Sequence, residues 1–174
     1  MEFKMKNYLR IIGLVWAITL MTVVPVYASI FPSQEYTSIE EDSSLLPPTA
    51  KDSRDLVRKT PRGVFFSAAE LQIINEDGEI GVLGSAYMST EIDELYMTIY
   101  LDRLTDEGRW EQVDYFEFEF YSDDYPDGLT SEFVSFTLTG YPKGHYYRLR
   151  GTYAAVKDGV IEGFGPTTDG ILIQ

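Results

Sequence analysis

The stretch LYMTIYLDRLTDEGRWEQVDYFEFEFY, residues 95–121, decides the fold class. Leu95, Met97, Ile99 and Leu101 alternate with Tyr96, Thr98 and Tyr100. After a turn at Asp106-Glu107-Gly108, a second run from Trp110 interleaves Phe116, Phe118 and Phe120 with Tyr115, Glu117, Glu119 and Tyr121. Apolar groups at every second position turn one side of an extended chain to a core and the other to water, a period that a helix does not have. Two such runs joined by a glycine-bearing turn predict neighbouring antiparallel strands.

The same pattern continues outward from this pair. Toward the C-terminus, a polar loop at Ser122–Thr130 leads to Glu132–Thr139, with Val134, Phe136 and Leu138 on one side. Lys143-Gly144 then turns into Tyr146–Val156, Asp158-Gly159 into Val160–Phe164, and Ile171–Ile173 closes the run. Toward the N-terminus, Leu71–Ile74 and Glu79–Met88 flank Asn75-Glu76-Asp77-Gly78, a turn with glycine where positive φ is wanted. Short strands at roughly ten-residue spacing, with no amphipathic helix, predict an all-β protein. The expected form is an antiparallel β-sandwich of seven to eight strands over residues 63–174.

Charge and composition narrow the function. The chain has 174 residues, 14 basic against 28 acidic, and a net charge of −14; residues 63–174 alone hold 6 basic and 21 acidic groups. Phosphate neutralisation needs the opposite surplus, so nucleic acid is not the expected partner. Without cysteine there is no disulfide, thiol nucleophile or thiolate metal site, and one histidine makes no multi-histidine centre.

The first residues read as an address. Lys4, Lys6 and Arg10 precede an uncharged run, Ile11–Val24, which Pro25 ends before Val26-Tyr27-Ala28. A basic start, an apolar helix and small residues before the cut define a secretory signal peptide over 1–28, cleaved after Ala28; an uncleaved anchor is the competing reading. Residues 29–62 are expected to be a flexible, disordered linker. Up to Ala50 they carry three prolines, seven Ser or Thr and no basic group, too few apolar side chains to offset chain entropy. The basic run KDSRDLVRKTPR at 51–62 reads as a solvated linker, as a processing site, or as a segment docked on the acidic domain; Ser53 is a candidate cap for one helical turn.

Phe136-Thr137-Leu138-Thr139-Gly140 and Gly144-His145-Tyr146-Tyr147-Arg148-Leu149-Arg150 together resemble the E–F region of fibronectin type III domains, within the wider immunoglobulin-like sandwiches. Gly108-x-Trp110-x-x-Val113 and the Lys157-Asp158-Gly159 hairpin extend that resemblance. It implies that Tyr147 bonds back to the E–F backbone as a tyrosine corner, and that Leu95–Leu104 lies between Trp110–Tyr121 and Tyr146–Val156. The strand expected to carry the family's buried tryptophan, Ile80–Met88, has none. Signal, tether, β-domain and the ending Thr168-Asp169-Gly170-Ile171-Leu172-Ile173 also resemble a family of small exported proteins of unknown function from Clostridia-like Gram-positive bacteria.

Catalysis is poorly served: there is no G-x-S-x-G element, and His145, the lone imidazole, sits in a turn. No catalytic residue and no obligatory cofactor are expected. Calcium is the one metal to weigh, at Asp123, Asp124 and Asp127 around a glycine turn, with a solvated acidic loop as the plainer reading. In the fibronectin-like order, Tyr96, Tyr100, Tyr146, Arg148 and Arg150 share an outward face with Glu117 and Glu119. That face reads as a binding patch, since Tyr and Arg supply flat area and forked donors. Alternatively it is a sheet-stabilising ladder in which Glu117 and Glu119 engage the two arginines. The expected function is a secreted, non-catalytic, monomeric interaction or adhesion module that meets a protein or glycan at the cell surface and has no membrane contact after cleavage. A carbohydrate-binding accessory, with calcium in support, is the alternative.

Overall fold

In the computed structural model, residues 37–58 and 64–174 are described. The proposed signal peptide, the linker at 29–36 and 59–62, and Gly63 lie outside the described residues. Nine strands follow in order: β1 Asp52–Arg58, β2 Phe66–Glu76, β3 Glu79–Ile92, β4 Glu94–Leu104, β5 Trp110–Tyr121, β6 Leu129–Leu138, β7 His145–Lys157, β8 Val160–Phe164 and β9 Ile171–Ile173. They form two antiparallel sheets. The first has the order β1-β2-β3-β6; the second has β5-β4-β7-β8, with β9 also paired to β7. The expected sandwich is what the chain forms, and β4 does lie between β5 and β7.

Alternation sets the core. Leu71, Ile73, Ile80 and Val82 from one sheet meet Leu95, Met97, Ile99, Tyr147, Leu149 and Tyr153 from the other, all with 1% exposure or less. At the open side between β5 and β6, Phe116 and Phe118 pack their rings on Phe136 at 5.0 and 5.6 Å. Gly84 does not bulge β3, whose pairing with β2 runs through it in register. A Cβ there would lie 2.6 Å from the Tyr153 hydroxyl, so glycine makes room for that ring. The β2–β3 hairpin turns on Asp77 and Gly78, at φ 54° and 92°, positive at both central positions as a two-residue hairpin loop requires.

One expectation about domain layout changes. Residues 52–58 do dock on the domain, one of the readings open for this run, but as strand β1 paired along its whole length with β2, neither a solvated linker nor a helical turn from Ser53. Its composition hides an alternation. Ser53, Asp55 and Val57 face one way, and Ser53 Oγ and Asp55 Oδ2 accept the backbone N–H groups of Asp169 and Thr167 at 2.9 and 2.8 Å. The inward polar groups thus satisfy the irregular segment before β9, a role that a hydrophobicity pattern does not register.

Upstream of β1, residues 37–46 are also seated on the domain, forming a strap. Leu45 bridges Gly170 in parallel, with Gly170 N–H donating to Ser44 O and Leu46 N–H to Gly170 O at 2.8 and 2.9 Å. Asp169 Oδ1 accepts the Ser44 N–H at 2.7 Å.

Candidate functional site

The outward side of β4 and β7 carries the residues expected to form a patch, and the strap crosses it. Register places Asp102 opposite Arg148 and Tyr100 opposite Arg150. All four are buried: Asp102 and Arg148 at 0% exposure, Arg150 at 4% and Tyr100 at 8%. The Asp102 carboxylate takes both guanidinium groups. Oδ2 accepts from Arg148 Nε at 3.0 Å and Arg150 Nε at 2.6 Å, while Oδ1 accepts from Arg150 Nη2 at 3.0 Å. Arg150 Nη2 also reaches Gln112 Oε1 at 3.1 Å, and its guanidinium lies 4.8 Å from the centre of the Tyr100 ring.

Arg148 binds the strap. Its Nη1 donates to Glu41 O and to Ser43 Oγ, the latter at 3.0 Å, and Nη2 donates to Ile39 O at 2.8 Å. Trp110 stacks on the guanidinium, 4.6 Å from ring centre to Cζ. A Cβ on Gly170 would come within 2.8 Å of Trp110 Cη2 and 3.0 Å of Leu45 Cδ2, so only glycine lets the indole and the strap pack there. Burial pulls the Arg148 pKa down, against the opposing pull of Asp102. Two cations on one anion inside a protein are tolerable because strap carbonyls, Ser43 Oγ and Gln112 Oε1 take further guanidinium N–H groups.

Tyr146, the remaining member of the expected patch, donates its hydroxyl to Leu46 O at 3.2 Å. Tyr96 donates to Glu94 at 2.6 Å and sits edge-on to Tyr121. The five residues therefore do share one face, but Tyr100, Arg148 and Arg150 are interior groups rather than an open surface. Nor do Glu117 and Glu119 engage the arginines: Asp102 does. Asp102 was legible as the next outward position after Tyr100. The strap had no periodic signal, and its contacts to Arg148 are mostly backbone carbonyls, which every residue owns.

What stays open on this sheet is β5. Tyr115 is 53% and Tyr121 39% exposed, with Glu117 and Glu119 exposed between them. Tyr121 donates to Glu119 at 2.5 Å, which raises the tyrosine's pKa. Between the strap at 39–43 and the β4–β5 turn lies a groove of about 760 Å³, with Glu40, Asp42, Glu107 and Glu111 along its sides, joined by Arg109 and Trp110.

The acidic loop does not assemble a site. Asp123 and Asp124 belong to a single 3₁₀ turn, Ser122–Asp124, and with Asp127 they are exposed. Among the described residues, no three His, Asp or Glu side chains converge as metal ligands. A hollow of about 330 Å³ beside the loop is lined by Glu91, Asp93, Ser122 and Tyr125 but by none of the three aspartates, and Lys157 is part of its wall. Lys157 Nζ donates there to Glu91 O at 2.5 Å.

Tyr147 is buried at 0% exposure, and its hydroxyl donates to Pro142 O, five residues back, at 2.8 Å. Fold and site thus define an acidic, cysteine-free antiparallel β-sandwich whose second sheet is half covered by its own N-terminal strap. No protein-family model matches the chain, and a search of curated proteins finds no match.

Proposed function

We propose that this chain is an exported, monomeric, non-catalytic interaction module that meets its partner through the uncovered part of the second sheet. One observation carries the reading: the solvent side of β5 presents Tyr115, Glu117, Glu119 and Tyr121 in one exposed row, while the neighbouring arginine face is used up internally. Tyrosine is enriched at partner-binding surfaces, where it supplies flat contact area. Export rests on the signal-like residues 1–28.

We also read the sandwich as fibronectin type III-like. The order β2-β3-β6 against β5-β4-β7-β8, with Tyr147 bonded to Pro142 O ahead of β7, supports it. A carbohydrate-binding role has less to stand on, because Tyr100 lies under Arg150 instead of in a flat open row.

The test is a binding isotherm of the labelled, purified chain on washed bacterial cell envelopes. Saturable binding that Tyr115→Ala with Tyr121→Ala weakens, while the melting temperature holds, is the expected result. Binding that never saturates, or that ignores the pair, overturns the reading.

A further inference from the structure

We propose that the free edge of β5 takes up an extended segment of a partner protein carrying Lys or Arg at alternate positions, which adds a strand to the second sheet. This rests on the interaction-module reading above and names the chemistry of the partner. β5 ends its sheet, with β4 as its one strand neighbour among the described residues. Its pairing shifts register at Val113, so the regular edge runs from Asp114 to Tyr121, where the Tyr115 N–H is taken by Asp114 Oδ1 at 2.8 Å. An edge of this kind offers a row of N–H and C=O groups to another chain, and main-chain pairing supplies affinity while side chains supply choice. Phe116, Phe118 and Phe120 fix the strand to the core from behind, so it is presented in its paired conformation and little ordering is needed.

Charge selects the occupant. Outward groups recur at 115, 117, 119 and 121, and successive ones stand about 6.8 Å apart along a strand. An added strand sets its own alternate side chains beside them. In a second copy of β5 these would again be Glu117 and Glu119, and like charges facing across strands repel, so self-pairing is opposed. Lys or Arg at every second position meets both carboxylates and can lay its cationic heads on the Tyr115 and Tyr121 rings. The surrounding excess of 21 acidic over 6 basic groups in residues 63–174 draws such a segment in. The other edge near by, β6, shows Ser131, Phe133, Ser135 and Thr137 outward, a row with no charged side chain of its own whose Thr137 is bonded to Glu76.

The experiment uses the purified chain and three synthetic twelve-residue peptides: alternating Lys-Thr, the same composition with all lysines in one block, and alternating Glu-Thr. Binding is followed by anisotropy and the contact mapped by amide chemical shifts. The alternating Lys-Thr peptide is expected to bind, to shift β5 amides and to outbind the block peptide. Glu117→Lys with Glu119→Lys weakens it about tenfold or more, from lost attraction plus new repulsion at two positions. The same variant gains binding to the Glu-Thr peptide, whereas Glu107→Lys in the β4–β5 turn leaves the affinity within about twofold. Should the double Lys variant fail to fold, Glu117→Gln with Glu119→Gln makes the same test and is expected to show a smaller loss.

Equal binding of the block peptide, equal damage from Glu107→Lys, shifts away from β5, or no binding at about millimolar peptide each overturn the proposal. Saturable envelope binding that survives the charge reversal also overturns it and leaves the interaction reading standing. If wild-type envelope binding never saturates, the broader reading falls instead.

Discussion

The second sheet shows two treatments of one surface. On β7 and the far end of β4, outward-pointing Arg148, Arg150 and Asp102 are sealed beneath the strap and Trp110. On β5, at the edge beside β4, outward-pointing Glu117 and Glu119 stand in water. Both sets are charged, both alternate with core residues, and both looked like surface. The difference lies in what each charge can be paired with. Asp102 sits directly across from Arg148 and next to Arg150 and closes a compact cluster, which makes burial bearable. Glu117 faces Thr98, and Glu119 faces Tyr96, whose hydroxyl goes to Glu94; among the described residues no cation is placed to allow either to be covered.

This contrast is open to measurement, and removing the shared anion has the largest expected effect. Asp102→Ala leaves two buried guanidinium groups without their counter-charge and is expected to cost about 3–5 kcal/mol in denaturant unfolding. A cost below about 1 kcal/mol would mean that water reaches the cluster and that the strap does not seal it.

High pH comes next. Tyr125 and Tyr141 are both pushed up to about 12, first by burial and then by hydrogen bonds to Glu132 and Asp114. Burial also raises Tyr153 and Tyr147. A phenol whose folded pKa exceeds its unfolded value near 10 favours the native state while protonated. That contribution is complete below pH 10 and disappears as the pH climbs through 12. Tyrosinate absorbance should therefore rise between these values together with loss of the β circular-dichroism signal. Titration of all 13 tyrosines before the fold is lost would contradict it.

Gly170→Ala probes the covered half from its other side. Its new methyl group would press on Trp110 and Leu45, and overpacking there is expected to cost about 1–3 kcal/mol. Limited proteolysis should then cut within residues 37–46 sooner than in the parent chain.

Tyr147→Phe removes a single hydrogen bond to Pro142 O and should cost about 0.5–1.5 kcal/mol by the same unfolding measurement. The smallest effect belongs to the bare edge. Glu117→Gln with Glu119→Gln should change stability by no more than about 0.5 kcal/mol, since both groups are exposed and neither is ion-paired among the described residues. A large loss would show that β5's acids hold the sheet together after all.

Much of the architecture was legible because strand alternation and hairpin turns are local. Residues 95–121, the Asn75–Gly78 turn and the Asp158-Gly159 turn after Tyr146–Val156 gave hairpin neighbours correctly, while the place of β4 beside β7 and the role of Tyr147 came from the fibronectin-like resemblance. The site was half legible. Alternation set the side of its strand that each of Tyr96, Tyr100, Tyr146, Arg148 and Arg150 occupies, the fibronectin-like resemblance put β4 beside β7, and the five do share one face. Neither carried information about what lies above that face, so three buried groups read as a surface. For the strap and β1 the difficulty was composition: Ser, Thr, Pro and charge look like linker when their role is to satisfy distant backbone groups such as those of Thr167, Asp169 and Gly170.

By itself, then, the sequence determined an acidic, all-β chain, most of its strands and the side to which their residues point, because these follow from chain geometry over a few neighbours. Only the tertiary structure decided which of those sides water reaches. That outcome depends on contacts between residues about a hundred positions apart, such as Ile39 with Arg148 and Leu45 with Gly170, where no local pattern exists to be read.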